Sequence, residues 1–213
     1  MTKPRKHLEA LLIKGLEELS LPFTQKQIQQ WLDYLFLLNR WNQVYNLTAI
    51  NDLEHMVSKH LLDSLAIAPW VQGERLLDVG SGAGLPGIPL AILYANQSMD
   101  LLDSQQKRII FLNQAITTLE LPKEKTIHSR VESYHSPQLY DTILARAFGS
   151  LAMIWENTRH LLKDSGTVLA MKGLDPKEEI QALPPEVKVE NIAISVPLLN
   201  SQRHMVRLRH QGE

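Results

Sequence analysis

The chain has 213 residues, of which 44% are hydrophobic and 21% charged, with no cysteine and a formal net charge of −1 at pH 7. That length suits one well-buried domain plus a small extension. The near-neutral charge excludes a whole-molecule pull toward polyanions, so a nucleic-acid partner has to be met by local basic patches, and the missing thiol excludes disulfides, cysteine-ligated zinc and a thiolate nucleophile, which fits a cytoplasmic setting.

Lys14, Glu17 and Glu18 interrupt the first apolar positions, so no signal-peptide core forms there, and no apolar run approaches the roughly 18 residues of a membrane span. Residues 4–20 instead read as an amphipathic helix, with Leu8, Leu11, Leu12, Leu16 and Leu19 at three- and four-residue steps. Thr24 and Gln27 form a capping box for a second helix, whose stripe runs through Ile28, Trp31, Leu32, Leu35 and Leu38 to about Trp41. YNLTAI, residues 45–50, breaks the pattern. Asn51 and Glu54 are spaced to cap a third helix that carries HLLDSL, residues 60–65, and closes at Pro69 and Gly73. There His60, Asp63 and Ser64 share a face. A mid-helix serine is a poor hydrolytic nucleophile, so the three read as a polar seam against the next domain.

Leu76–Val79 is a first strand, followed by Gly80, Gly82 and Gly84 and then an apolar helix that admits Pro86 and Pro89 in its first turn. Strand, glycine turn and helix together make a nucleotide-binding loop with free amides at the helix start. Gly82, Gly84 and Gly87 also match a dinucleotide fingerprint by letter, and a tight turn without a ligand is the plain structural alternative. Asp78 followed by Gly80-x-Gly82-x-Gly84 resembles the first motif of class I S-adenosylmethionine methyltransferases.

Further units alternate: a strand at Ser98–Asp103, a helix capped by Ser104 and running to about Leu119, strands at Thr126–Ser129 and Tyr140–Ala145, and a helix at 150–162. A turn at Asp164–Gly166 leads into strand Thr167–Met171, then a helix at Pro176–Leu183. Strands Val187–Val196 and Met205–His210 form a hairpin with its loop at Asn200–Arg203. The alternation predicts an α/β fold: a mostly parallel sheet with helices on both faces and an N-terminal helical extension, divided as residues 1–70 and 71–213. Ligands of such sheets lie outside the carboxyl ends of the strands. That rule selects Gly80, Asp103, Arg130, Arg146 and Lys172. Asp103 stands 19 positions after Gly84, where a carboxylate can accept ribose hydroxyls. Arg146 and Lys172 each follow an apolar strand and are expected to project into the cleft toward an anion or a carbonyl-bearing base.

LDVGSGAGLPGIPLAI, LLDSQQKRIIFL, SRVE (129–132), RAF (146–148), KG (172–173) and RHMV (203–206) follow YNLTAI and HLLDSL in one order. In that combination the chain, from about Trp41 to Val206, resembles the ribosomal RNA small subunit methyltransferase G family, also known as the glucose-inhibited division protein B family. The resemblance implies a Rossmann-like class I methyltransferase that moves a methyl group from S-adenosylmethionine to N7 of a guanosine in the 530 loop of 16S ribosomal RNA. It implies donor contacts at Gly80, Gly82, Leu85, Val131, Glu132 and Arg146, with Asp103 on the ribose. Arg130, Lys172 and Arg203 are implied for the RNA, and Arg146 and Lys172 for catalysis. No metal and no membrane are implied. The expected partner is 16S ribosomal RNA within a 30S subunit or assembly intermediate, met by a monomer. Guanine N7 has a free lone pair, so this reaction needs no general base and reduces to positioning. A nicotinamide-dependent oxidoreductase and a non-catalytic RNA-binding module are the alternatives on the same sheet.

Overall fold

A computed structural model describes residues 3–211, so residues 1–2 and 212–213 of the two expected ranges lie outside the described residues. The helices are α1 (Lys3–Glu18), α2 (Gln25–Tyr45), α3 (Leu53–Met56), α4 (Asp63–Leu65), α5 (Gly87–Leu93), α6 (Gln106–Thr118), α7 (Leu151–Thr158) and α8 (Lys177–Gln181). The strands are β1 (Arg75–Val79), β2 (Ser98–Asp103), β3 (Lys125–His128), β4 (Tyr140–Arg146), β5 (Leu162–Lys172), β6 (Val187–Ala193) and β7 (His204–His210). They form one sheet in the order β3-β2-β1-β4-β5-β7-β6. β1 to β5 run parallel, and β7 lies antiparallel between β5 and β6. Strand order reverses between β1 and β4, which opens a crevice at their carboxyl ends. No helix among the described residues is long and apolar enough to cross a membrane.

The two-residue period of the strands sorts their side chains into two apolar clusters. Leu76, Leu144 and Leu169 face one cluster; Leu77, Val79, Ile143, Ala145, Val168 and Ala170 face the other. The first also holds Leu8, Leu12 and Leu16 of α1, Ile28, Trp31 and Leu35 of α2, and the apolar sides of α5 and α6. The second is closed by Leu151, Ile154 and Trp155 of α7. Each fully buried Leu or Ile stabilises by ~1.5–3 kcal/mol, so burial holds α1 and α2 to the sheet just as it holds α5 and α6.

Several local expectations meet different chemistry. The capping box forms at Thr24 and Gln27 as read. The third helix is capped by Asp52, which accepts from the His55 amide at 2.8 Å, because the Asn51 side chain already accepts from Asn42 at 2.6 Å. That helix widens into a π-helix over Val57–Leu62 before α4. Helix α6 starts after Gln105 and not after Ser104, since Asp103 Oδ1 takes the Gln105 amide at 2.8 Å. The turn at Asp164–Gly166 is a bulge inside β5: pairing jumps from Tyr140–Leu162 to Thr142–Thr167. β6 ends at Ala193, so the hairpin loop spans 194–203 and not the four residues expected.

Candidate functional site

The turn after β1 shows why it is glycine-rich. Gly80 and Gly82 both lie at positive φ, +64° and +58°, where a side chain is strained. A Cβ on Gly80 would also stand 2.5 Å from Phe148 Cδ2, whereas one on Gly82 would meet nothing nearer than 3.8 Å. The Ser81 amide donates to Leu102 O at 3.0 Å and the Gly82 amide to Asp103 Oδ2 at 2.9 Å, so the turn is tied to β2. From α2, the Tyr34 hydroxyl donates to Ala83 O at 2.7 Å and the Trp31 indole N–H to Pro89 O at 3.1 Å. Burial pushes the Tyr34 phenol up, which keeps it a neutral donor. Beneath the turn, Asp78 is fully buried. Its Oδ2 accepts from the Gly87 amide at 3.0 Å, and its Oδ1 has no hydrogen-bond partner among the described residues. Burial drives its carboxyl up to about 7, against the pull of that amide.

Two cavities open along the crevice. The first, about 190 Å³, is lined by Gly80, Asp103, Arg108, Arg130, Val131 and Glu132 among others. The second, about 290 Å³, is lined by Asp63, Arg146, Met171, Lys172, Gly173 and Arg203 among others. Ala147 and Phe148, just after β4, line both. Phe148 therefore stands between a chamber under the glycine turn and a chamber at the rim.

The first chamber has one anchored carboxylate and two unengaged charges. Asp103 is 1% exposed; its Oδ2 also receives Arg108 at 3.2 Å, while Oδ1 accepts only the Gln105 amide. That leaves Oδ1 with capacity for another donor. The side chains of Arg130 and Glu132 are exposed and make no hydrogen bond or ion pair among the described residues.

In the second chamber the charges are paired. Asp63 is buried, with Oδ1 accepting from Arg203 Nε at 2.8 Å and Oδ2 lying 3.3 Å from an Arg146 nitrogen. Arg146 also donates to Lys59 O at 2.9 Å and reaches Ser64 Oγ at 3.4 Å. Lys172 donates to Gly149 O at 2.6 Å and to Glu179 Oε2 at 2.7 Å, and the same carboxylate oxygen accepts the Leu151 amide that opens α7. Arg146 and Lys172 thus leave opposite faces of the sheet, the first toward the helical layer and the second toward α7 and α8. Below Arg146, His60 Nε2 lies 2.9 Å from Thr48 Oγ1. Burial, reinforced by the Arg146 charge, lowers its pKa to about 4, so its ring is neutral at pH 7.

The crevice therefore gathers Gly80, Asp103, Arg130, Val131, Glu132 and Arg146 with Lys172 and Arg203. Gly82 turns its amide to Asp103, and Leu85 packs into the apolar cluster beneath the loop. The polar seam read at His60, Asp63 and Ser64 is present, with Asp63 and Ser64 on Arg146. Sequence reading passed over Tyr34 and Glu179, and took Arg108 with Lys107 as a surface basic cluster where the structure sets it on Asp103. Tyr34 lay inside an apolar stripe, where a buried phenol needs a partner, and that requirement was its available signal. Glu179 carried none, because its partners lie on other elements. The free amides expected at the helix start are not there: those of Ser81, Gly82, Gly84, Leu85, Gly87 and Ile88 are all engaged within the protein. Chemically, the crevice offers a carboxylate and cations around two neighbouring chambers, which suits positioning of two ligands more than proton abstraction.

Comparison with known proteins gives this geometry a context. Residues 27–206 match the family model described as rRNA small subunit methyltransferase G. A Nitrosococcus oceani protein named ribosomal RNA small subunit methyltransferase G is 49% identical over 202 residues, covering 94% of each chain. One of the same name from Hydrogenovibrio crunogenus is 45% identical over 210 residues, 98% of this chain and 97% of its own. Among solved structures, magnesium protoporphyrin IX methyltransferase from Synechocystis with bound S-adenosylmethionine superposes with a TM-score of 0.60 at 14% identity, covering 88% of this chain and 98% of that one. A ribosomal protein L11 methylase from Lactobacillus delbrueckii gives 0.58 at 14% identity, covering 76% and 81%. These likenesses show a Rossmann-like methyltransferase fold.

Proposed function

The chain belongs to the rRNA small subunit methyltransferase G family, and from that premise we propose that it transfers the methyl group of S-adenosylmethionine to N7 of a guanosine in the 530 loop of 16S ribosomal RNA. The observation that carries this reading is the pair of chambers that share Ala147 and Phe148 as a wall, one under the glycine turn and one among paired cations at the rim.

The residues of the first chamber suit the donor. Asp103 has an oxygen free to accept a ribose hydroxyl, Val131 offers an apolar wall beside Glu132, and Gly80, lacking a side chain, lets Phe148 close against the chamber wall. When bound, S-adenosylmethionine supplies an electrophilic methyl group on a sulfonium. Because guanine N7 already bears a lone pair, no side chain has to remove a proton. What remains for the protein is to hold N7 in line, shut out water and orient the base. Arg146, Lys172 and Arg203 line the second chamber and can meet guanine O6 or phosphate oxygens, as Arg and Lys do elsewhere. Arg130, exposed in the lining of the first chamber, can meet the RNA backbone. Positive charge passes to the base during the reaction, and the carboxylates of Asp63 and Glu179 temper the cationic wall against it.

A protein of near-neutral charge holds naked RNA weakly, so its substrate is the 30S subunit or an assembly intermediate, met by a cytoplasmic monomer. The test is labelled methyl transfer to 30S subunits with chemical cleavage at N7-methylguanosine. One cleavage in the 530 loop is expected. Transfer to another base, or none, contradicts the proposal.

A further inference from the structure

Asp63 does not line the chamber under the glycine turn; it stands where the helical layer meets the sheet rim. The chain reaches it through the π-helix at Val57–Leu62, and such widened turns recur at functional sites. Its carboxylate is 3% exposed and lines the rim chamber. Its two oxygens go to two different arginines from distant parts of the chain: Arg203 Nε at 2.8 Å and Arg146 at 3.3 Å.

We infer that Asp63 is a positioning residue for the acceptor, one buried carboxylate that aims both Arg146 and Arg203 along the wall of the rim chamber and cancels one of their charges. The inference rests on the methyl-transfer reading above. An arginine side chain is long and flexible, and its planar fork is useful only when something fixes its plane. Arg146 has further anchors at Lys59 O and Ser64. Among the described residues the Arg203 side chain is otherwise tied only to its own loop, through Ser201 Oγ at 3.1 Å and Gln202 O at 2.9 Å. Without Asp63, Arg203 loses its link to the helical layer, and two like charges face each other across the chamber. The anion also sits beside the place where the base acquires positive charge, so it favours the transition state over a merely bound guanosine.

The test compares wild type, Asp63→Asn and Arg203→Lys, all full-length, on 30S subunits at saturating S-adenosylmethionine. Titration with S-adenosylhomocysteine reports the fraction that is folded. Asp63→Asn is expected to bind that ligand at wild-type stoichiometry, with Kd within about twofold, while kcat falls at least ~30-fold and KM for the subunit does not rise. Its kcat/KM should also fall more steeply with salt, because one more cation is free to meet phosphate. Arg203→Lys keeps the charge but loses the fork, and its kcat should fall ~10-fold. The double variant should be no slower than Asp63→Asn alone, since both changes remove one contact. If either single variant binds S-adenosylhomocysteine fully and keeps kcat within about threefold of wild type, the inference is overturned. If Asp63→Asn does not fold, Arg203→Lys decides by the same threshold. Methyl transfer by wild type and both variants alike sinks this inference only; no transfer by wild type sinks the functional reading and this inference with it.

Discussion

The two chambers on either side of Phe148 are built from the same strand ends, yet they differ in what their charges are doing. Under the glycine turn, Arg130 and Glu132 have no partner among the described residues and Asp103 keeps an open acceptor position. At the rim, Arg146 and Arg203 share Asp63, and Lys172 is held by Glu179 and Gly149 O. One chamber presents charges with no partner among the described residues, while the other presents cations already aimed by carboxylates. On the proposed reading this difference suits a small cofactor and a base: the first needs open hydrogen-bonding positions, the second needs cations whose direction is already fixed.

The contrast can be broken most severely at Asp103. Asp103→Ala should weaken S-adenosylhomocysteine binding at least ~100-fold by calorimetry, with affinity for 30S subunits within about threefold. Equal loss of both would mean that the chambers do not divide donor from acceptor. Next in size is Lys172→Met, which should lower kcat on 30S subunits ~30-fold and leave the calorimetric Kd for S-adenosylhomocysteine unchanged. A shift in that Kd would place Lys172 on the donor side. Smaller again is Tyr34→Phe. It leaves the buried Ala83 carbonyl without its donor, so denaturant titration should show a loss of ~1–2 kcal/mol, accompanied by a few-fold weaker S-adenosylhomocysteine binding.

The smallest expected effect is on the pH dependence of stability, where two buried groups oppose each other. Asp78, beneath the glycine turn, has its folded pKa raised from 3.8 to about 7. Its contribution to stability is full below pH 3.8 and is lost as pH rises toward 7. His60, beneath the rim, has its folded pKa lowered from 6.5 to about 4. Its contribution is full above pH 6.5 and is lost as pH falls toward 4. Between roughly pH 5 and 6.5 these two contributions should cancel to within about 1 kcal/mol. His60→Gln should unmask Asp78, giving stability that falls by ~2 kcal/mol across that window in denaturant titrations. A variant whose stability instead rises with pH would show that Asp78 is not held protonated.

Local patterns in the sequence revealed the scaffold and left the pairing hidden. β2 falls at Ser98–Asp103 as its apolar run indicates, and Thr24 with Gln27 makes its capping box, because both depend on neighbours a few residues away. The rule that ligands sit at strand ends placed Asp103, Arg146 and Lys172 on the crevice. It did not say that Arg146 and Lys172 leave opposite faces, which depends on the register Arg146–Met171. Nor could spacing reveal that Asp63 meets Arg203, 140 positions away. The expectation of a cap at Asn51 failed for a similar reason, since its side chain was already engaged by Asn42.

The division of the crevice is tested most directly by a structure of the protein on the 30S subunit with S-adenosylhomocysteine. The account predicts the adenosine moiety against Gly80, Asp103 and Val131, and a guanine in the rim chamber beside Phe148, with N7 turned toward the sulfur. S-adenosylhomocysteine seated among Asp63, Arg146 and Arg203, or a guanine bound outside the rim chamber, would contradict it.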